Sequence, residues 1–508
     1  MVTPYWYEAA RRFGRINIVN IRNSISLAGW RTAKMGYLAL ASILLVAGFL
    51  RFSRLDAVPP GLADDEAVNG NDALQAWRTG KFRVFYPQNY GREGLFINLQ
   101  ALTLGIIGRN EPWVLRLPSA ILGSLTVWGM YFAAKRIIGR TPALWAAFLA
   151  ATSFWQIQIS RLGTRPVASL FFLVWALVFF FKSVELWQRR SKWWPLIAAF
   201  SGVLYGLGFH TYTAYRITPL LVAGLVWQMA RRHGAKPILR LAAIVIAAAV
   251  LTALPLAAYA YHHPEDFFQR VRQLKEMSSV NPEAGYLRSA IAAAKMLVWS
   301  GDMHPRHNIP GRPVLFWPAG ILFVVGVTIA MRRQKLLLWW MAVGALPAII
   351  ANEGSPHALR SLLMAPAVFM LTAMGVDYCG GWLQRLSGWF TSILGGGLAL
   401  LLLAECYQSF FILWPKSPRV AATYDQSLIG VARRLDSLPR EIPKYVIFAP
   451  DGVTFGDAPF GAQPIMFLTD TFTRERQQEK NIFYLRTDQT NQIARGYVYV
   501  HYIDAVWE

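Results

Sequence analysis

Charge is what this sequence has least of. Only 16% of its 508 residues are Asp, Glu, Lys or Arg, and 55% are hydrophobic. A soluble domain carries about 25% charged residues. A chain this long and this poor in charge cannot cover itself with a polar surface, so a lipid bilayer is the solvent that accommodates it. Acids are scarcer than bases, 28 against 51, which leaves a formal charge of +23. In a soluble protein that excess suggests nucleic acid. Here the bases stand in short runs between apolar stretches, and no domain gathers them into a groove. Cysteine is nearly absent: Cys379 and Cys406 fall near opposite faces of the predicted topology and give no disulfide framework. No Walker A loop occurs, which argues against nucleotide-driven transport. No Gly-x-Gly-x-x-Gly follows a strand, which argues against a nucleotide-sugar Rossmann domain. The apolar stretches hold few acids, which weakens an ion-coupled transporter.

What is present is a series of apolar runs. A span needs about 20 apolar residues. Eleven are predicted, at 35–53, 113–134, 141–158, 166–186, 193–209, 214–230, 238–258, 313–331, 335–351, 360–377 and 389–412. The first reads as an uncleaved anchor behind a cytoplasmic segment 1–34, with Arg51 snorkelling from its end. The basic runs Arg11–Arg15, Lys135–Arg140, Arg189–Lys192, Arg231–Arg240 and Arg332–Lys335 then all lie on the cytoplasmic side, the positive-inside pattern. The outer segments are 54–112, 159–165, 210–213, 259–312, 352–359 and 413–508. The first of them holds Asp56, Asp64, Asp65, Glu66, Asp72, Glu93 and Glu111. It also carries two amphipathic stretches, Ala67–Trp77 and Leu95–Ile106, whose spacing predicts helices in the interface plane. Residues 35–412 therefore read as a helical polytopic membrane domain. Residues 413–508 read as a small outer α/β domain, with β-like runs at Tyr445–Phe448, Pro464–Leu468, Phe483–Arg486 and Tyr497–Tyr502.

The densest acid cluster is Asp64–Asp65–Glu66, after the turn Pro59–Pro60–Gly61. One of the three could simply cap the following helix. Three acids on one face exceed what a cap needs, and such crowding marks sites. An Asp-Glu pair just after the first span resembles the protein O-mannosyltransferases, the aminoarabinose transferases that modify lipid A, and the oligosaccharyltransferases, together the GT-C superfamily. The run Asn89–Phe96 resembles the Glu-Lys-Pro-Pro-Leu segment of the bacterial mannosyltransferase-like family, with Arg92 near the family's Lys and Glu93 and Gly94 in place of its prolines. The run Ile159–Pro166 resembles that family's Ser-Arg-x-x-x-Arg-Pro segment. The resemblance covers most of 36–412 and implies a GT-C-like fold with about eleven spans, interfacial helices and an outer C-terminal domain.

The implied chemistry is consistent with the residues. A sugar on a polyprenyl phosphate leaves behind a phosphate that needs no protonation. The reaction then needs one carboxylate as base on the acceptor hydroxyl and cations for the phosphate. Asp65 is the expected base, Glu66 a supporting acid and Asp64 the alternative, with inversion at the anomeric carbon. The expected phosphate ligands are the outer arginines Arg92, Arg161, Arg165, Arg216, Arg360 and Arg306, with snorkelling as the competing reading. Arg216 is placed a few residues inside a span, facing a polar cavity. Tyr212 and Tyr215 could stack a sugar or belong to the interfacial aromatic belt, and Glu93, His307, His357 and Glu353 complete the expected pocket. In the loop Gly301–Asn308 the spacing His304-x-x-His307 with Asp302 could hold a divalent metal; Pro305 and Pro310 favour a rigid loop, and no cofactor is required. The expected partners are a polyprenyl-phosphate-linked sugar and the bilayer of the cytoplasmic membrane, with a protein, lipid or glycan acceptor left open and no nucleic acid. A flippase of lipid-linked sugars, or a ligase using lipid pyrophosphates, are the alternatives.

Overall fold

The computed structural model describes residues 27–280, 285–351, 354–448, 454–455, 458–493 and 498–503. The chain divides into two compact units, Met1–Ser42 and Ile43–Glu508. Helix α1 (Leu27–Phe52) runs through the division, and all side-chain contacts described below lie in the second unit.

Each predicted span is occupied by helix. In chain order they are α1, then α2 (Asp64–Thr79), the hairpin β1 (Phe85–Tyr86) and β2 (Arg92–Glu93), α3 (Gly94–Ile107), α4 (Pro112–Ile137), α5 (Arg140–Thr152), α6 (Phe154–Ser160), α7 (Pro166–Gln188), α8 (Trp194–Phe209), α9 (Thr218–His233) and α10 (Ala235–His262). Then follow α11 (Pro264–Val280), α12 (Tyr286–Val298), α13 (Trp317–Arg333), α14 (Lys335–Ala351), α15 (Ala365–Leu386) and α16 (Gly388–Tyr407). Six of the described helical stretches are long and apolar enough to cross a membrane, seven if the bent pair α13–α14 is one span. The other predicted spans are present as shorter helices. The run predicted at 141–158 breaks at Ser153 between α5 and α6, and α13 and α14 meet at an angle of 118°. Burial separates inner from outer helices. About 70% of the apolar windows in α4, α7 and α15 is buried, against 11% in α16, whose Leu394, Leu400 and Leu401 are left for lipid.

Two local expectations are corrected. The span predicted from 214 begins instead at Thr218, because Thr213–Ile217 forms a 3-10 turn; Arg216 therefore lies before the helix. Pro118, Pro255 and Pro347 sit inside helices, but Pro219 sits at the start of α9, where its missing N–H costs nothing. Arg51 does not snorkel. It is fully buried, and its guanidinium bonds Ser160 Oγ (3.2 Å) and the carbonyls of Ala47, Ala150 and Ala151 (3.0–3.2 Å) where α5 ends.

The C-terminal segment contains α17 (Pro418–Thr423), α18 (Gln426–Ser437), β3 (Lys444–Phe448), the pair β4 (Thr454–Phe455) and β5 (Ala458–Pro459), α19 (Gln463–Leu468), α20 (Arg474–Lys480), β6 (Ile482–Arg486) and β7 (Tyr499–Ile503). Strands β6, β3 and β7 form a parallel sheet in that order. The run Pro464–Leu468, read as β-like, is helical: Pro464 occupies its first turn, and Ile465, Met466 and Phe467 are all buried.

This segment packs closely behind α2. Phe467 joins the cluster of Leu62, Ala67, Leu74, Ile97 and Leu115. Asn71 donates to Gln463 Oε1 at 2.8 Å, and Arg78 pairs with Asp470. Leu62 N donates to Tyr424 O at 2.7 Å. At Gly61, φ is +70° and a Cβ would stand 2.0 Å from Tyr424 O, so this crossing demands glycine.

Candidate active site

The three successive acids begin α2, and the helix separates them. Neighbours on an α-helix point about 100° apart, so Asp64, Asp65 and Glu66 cannot share a face as the sequence reading had it. Each meets a different environment.

Glu66 turns into the protein. Its carboxylate takes both arms of Arg116 (3.1 and 2.9 Å) and accepts from Gly163 N (2.5 Å) and Ala63 N (3.4 Å). Arg116 also donates to Pro59 O and Gly61 O, both at 2.8 Å. Both side chains are buried. Glu66 is thus a buried structural carboxylate rather than a supporting acid at the surface of the site.

Asp64 turns toward Asp425, which precedes α18. Its Oδ1 is buried with no hydrogen-bond partner among the described residues. Burial, then the neighbouring Asp425, push the Asp64 carboxyl well above the usual range, and burial pushes Asp425 up to about 6. A carboxyl raised on folding stabilises the fold at low pH, and that contribution is lost as pH rises through the folded value. Asp425→Asn is therefore expected to raise stability at pH 8 by about 1–2 kcal/mol. It should also flatten the fall in thermal midpoint between about pH 4 and 6, from the ordinary carboxyl value to the folded one. Asn also tolerates the left-handed backbone found at this position (φ +46°).

Asp65 alone faces the open site. It accepts from Asn89 Nδ2 (2.8 Å) and from Arg306 Nη1 (2.7 Å), and its side chain stays 44% exposed, enough to be reached by a substrate. Its recessed position would raise the carboxyl. The Arg306 guanidinium, the Asn89 bond and the charge of Arg270 outweigh this and hold it below the usual range. Asp65 is therefore a carboxylate at neutral pH.

Asn89 reaches Asp65 because 89–91 turn the β1–β2 hairpin through three positive φ angles. Alternation along β2 then sends Arg92 and Glu93 to opposite faces. Arg92 bonds Asn69 Oδ1 (2.6 Å), Asp72 and Gln88 O, and so ties the hairpin to α2. Glu93 takes Arg165 (2.5 Å), Arg216 (2.9 Å) and Thr213 (3.2 Å). Arg216 also lies over the Phe267 ring at 4.1 Å.

The predicted arginines therefore divide. Arg165, Arg216, Arg306 and Arg360 surround the space between Asp65, Tyr212 and Glu93; Arg165 lies within electrostatic reach of Asp65 and Tyr212, and Arg360 within reach of Tyr212. Arg92 and Arg161 are committed elsewhere. Arg161 is fully buried and gives all five N–H donors to the carbonyls of Leu50, Arg51, Arg54 and Val58 (2.5–3.1 Å), above Phe410 and Phe411. It fastens the end of α1 and has no donor left for phosphate. The tyrosines divide too. Tyr212 borders the site, while Tyr215 is buried between Tyr205 and Phe209 and cannot stack a substrate. Glu353 lies outside the described residues. The sequence reading missed Arg270, which lies near Asp65 and Tyr212 and over the Tyr90 ring at 5.8 Å, and Asn89 and Asp425.

Beside Arg306, Asp302 is buried and accepts from His304 N (2.8 Å) and Ala358 N (2.8 Å), with His307 Nδ1 at 3.3 Å. His304, His307 and His357 stack in sequence, with ring centroids 4.8 and 4.7 Å apart. Burial and the adjacent charges push His304 down to about 4 and also depress His357.

A family profile described as dolichyl-phosphate-mannose-protein mannosyltransferase matches residues 95–255, which run from α3 into α10. Among solved structures, ArnT from Cupriavidus metallidurans bound to undecaprenyl phosphate superposes with a TM-score of 0.52 at 14% identity, covering 91% of each chain. The chain has a GT-C-like fold. The archaeal oligosaccharyltransferase AglB from Archaeoglobus fulgidus shares the GT-C fold, at TM-score 0.54 and 15% identity, over 87% of this chain and 64% of that one. In sequence, the undecaprenyl phosphate-alpha-4-amino-4-deoxy-L-arabinose arabinosyl transferase of Edwardsiella ictaluri is 25% identical over 300 residues, 56% of this chain and 50% of that protein. A Bacillus subtilis protein described as "Putative mannosyltransferase YkcB" is 32% identical over 161 residues, 31% of this chain and 20% of that protein. The chain thus spans half the length, or less, of these curated relatives.

Proposed function

We propose that this protein transfers a sugar from a polyprenyl-phosphate donor to an acceptor hydroxyl on the outer face of the cytoplasmic membrane. The observation that carries this reading is one ionised, accessible carboxylate, Asp65, set among Arg306, Arg165, Arg270, Arg216 and Arg360. Asp65 pairs with Arg306, and Glu93 with Arg165 and Arg216, and guanidinium groups match phosphate in geometry as well as charge.

In the proposed step the Asp65 carboxylate takes the acceptor's hydroxyl proton as its oxygen attacks the anomeric carbon. The bond from that carbon to the phosphate oxygen breaks, and polyprenyl phosphate leaves with the bonding pair. Attack opposite the phosphate inverts the centre. The arginines stabilise the charge that gathers on the leaving phosphate, the term on which such a reaction depends most. Tyr212 supplies an aromatic wall for the sugar. The isoprenoid chain has a route as well. An apolar cavity of about 560 Å³ lies at the outer end of α10 between Val84, Phe85, Pro255 and Tyr259. Phe85 packs on Phe267, the ring beneath Arg216.

The test uses the purified full chain in detergent with membrane extract as the acceptor source. Polyprenyl-phosphate mannose, glucose and 4-aminoarabinose are supplied separately. Release of free polyprenyl phosphate from at least one donor is the expected result. Turnover of a polyprenyl pyrophosphate donor alone, with none of the monophosphates used, would overturn the assignment.

A further inference from the structure

Asp302, His307 and His357 come from two separate outer segments, the loop 301–312 and the turn 354–361. Their ligating atoms lie within 4.8 Å of one another, and Asp302 and His307 are buried. The sequence suggested a different pair, His304 and His307, from their spacing. In the structure His304 stacks on His307 while its Nδ1 accepts from Arg306 N (3.2 Å), and the second converging imidazole is supplied by His357 from across the gap.

We propose that Asp302, His307 and His357 form a binding site for a divalent first-row metal ion, zinc by its donor set, which fastens the loop 301–312 to the turn 354–361. Three features support this. First, two imidazoles and one carboxylate are the donors zinc takes when it keeps one coordination position open. Second, the geometry is close to what the ion needs. Tetrahedral ligands at zinc distances stand about 3.4 Å apart, and Asp302 Oδ2 to His307 Nδ1 is already 3.3 Å. A small swing of His357 closes the set. Among the described residues its ring takes one hydrogen bond, from Arg360 N to Nδ1 at 3.4 Å, too long to fix it. Third, Asp302 is aimed by groups outside the set. The backbone N–H groups of His304 and Ala358 hold its two oxygens, as outer hydrogen bonds orient metal ligands elsewhere. A clasp made of Asp302 and backbone alone would need neither imidazole.

The ion would have a defined consequence. Arg306 stands between His304 and His307 in the chain, and Arg360 follows His357 by three residues. Fixing the two segments to each other would fix both guanidinium groups on either side of the site. The metal would bind whether or not the chain transfers sugar, so its test does not depend on turnover.

The experiment uses the full chain purified with a tag free of histidine, stripped with chelator and titrated with zinc alone. One equivalent is expected to bind, with a rise in thermal midpoint. His357→Gln should weaken zinc at least tenfold while leaving the metal-free midpoint near wild type. Cobalt added to wild type should give the visible absorption of a four-coordinate site, and His357→Gln should abolish it. Failure of the wild type to bind zinc, or equal zinc affinity in wild type and His357→Gln, would overturn the proposal. Should His307→Gln fail to fold, the His357→Gln and cobalt measurements still decide it.

Discussion

Asp65→Asn is expected to lower sugar transfer by roughly 10²–10⁴-fold, the range a positioned general base contributes, with donor affinity changed only a few-fold. The substitution is nearly isosteric, and the side chain is partly exposed, so the fold should survive it. The neighbouring acids cannot take over the proton. Asp64 turns to Asp425, burial and that neighbour pushing its carboxyl well above the usual range, and Glu66 is locked between Arg116 and Gly163. Steady-state turnover and donor binding measured on the same preparation separate the two quantities. A variant that keeps full turnover would place the proton transfer elsewhere and remove Asp65 from the chemistry.

The second large effect is on stability. Glu66→Ala is expected to destabilise the protein by about 3–5 kcal/mol, because it leaves Arg116 charged and buried without its partner. Gly163 N loses its acceptor in the same step. Replacing both members, Glu66→Leu with Arg116→Met, should recover part of the loss, since a buried pair exchanged for apolar residues of similar volume costs far less than a broken one. Pro59 O and Gly61 O would still lack their donors, so recovery should be incomplete. Thermal midpoints of the three proteins in one detergent test this. Glu66→Ala with a wild-type midpoint and no turnover would make Glu66 a chemical group after all.

These effects show what the sequence could and could not reveal. The helices were legible because apolar runs bounded by turns and basic residues leave few other structures in lipid. The acid cluster was legible as a site, but the division of labour within it was not. Consecutive residues look like one cluster on paper and point three ways on a helix. The same holds for Ser160–Arg161 and Arg165. Ser160 serves Arg51, Arg161 serves the carbonyls at the end of α1, and only Arg165 reaches Glu93 and the site. An arginine at the outer end of a span can hold backbone, lipid or phosphate, and its donors must be followed in space to tell these apart. Asp425 carried no local signal, since its importance arises only when Tyr424 crosses Gly61 and brings it to Asp64. In the proposed metal site the second imidazole is His357, on a separate segment, which no spacing around His307 could reveal.

The central claim is that the guanidinium groups around Asp65 form a phosphate site, and equilibrium binding of polyprenyl phosphate to the purified protein tests it most directly. Wild type is expected to bind it saturably, and Arg165→Gln combined with Arg306→Gln should weaken binding at least tenfold, since each charge-assisted bond contributes about 1.5–3 kcal/mol. Equal affinity in the two proteins would contradict the account and place the lipid phosphate somewhere other than this site.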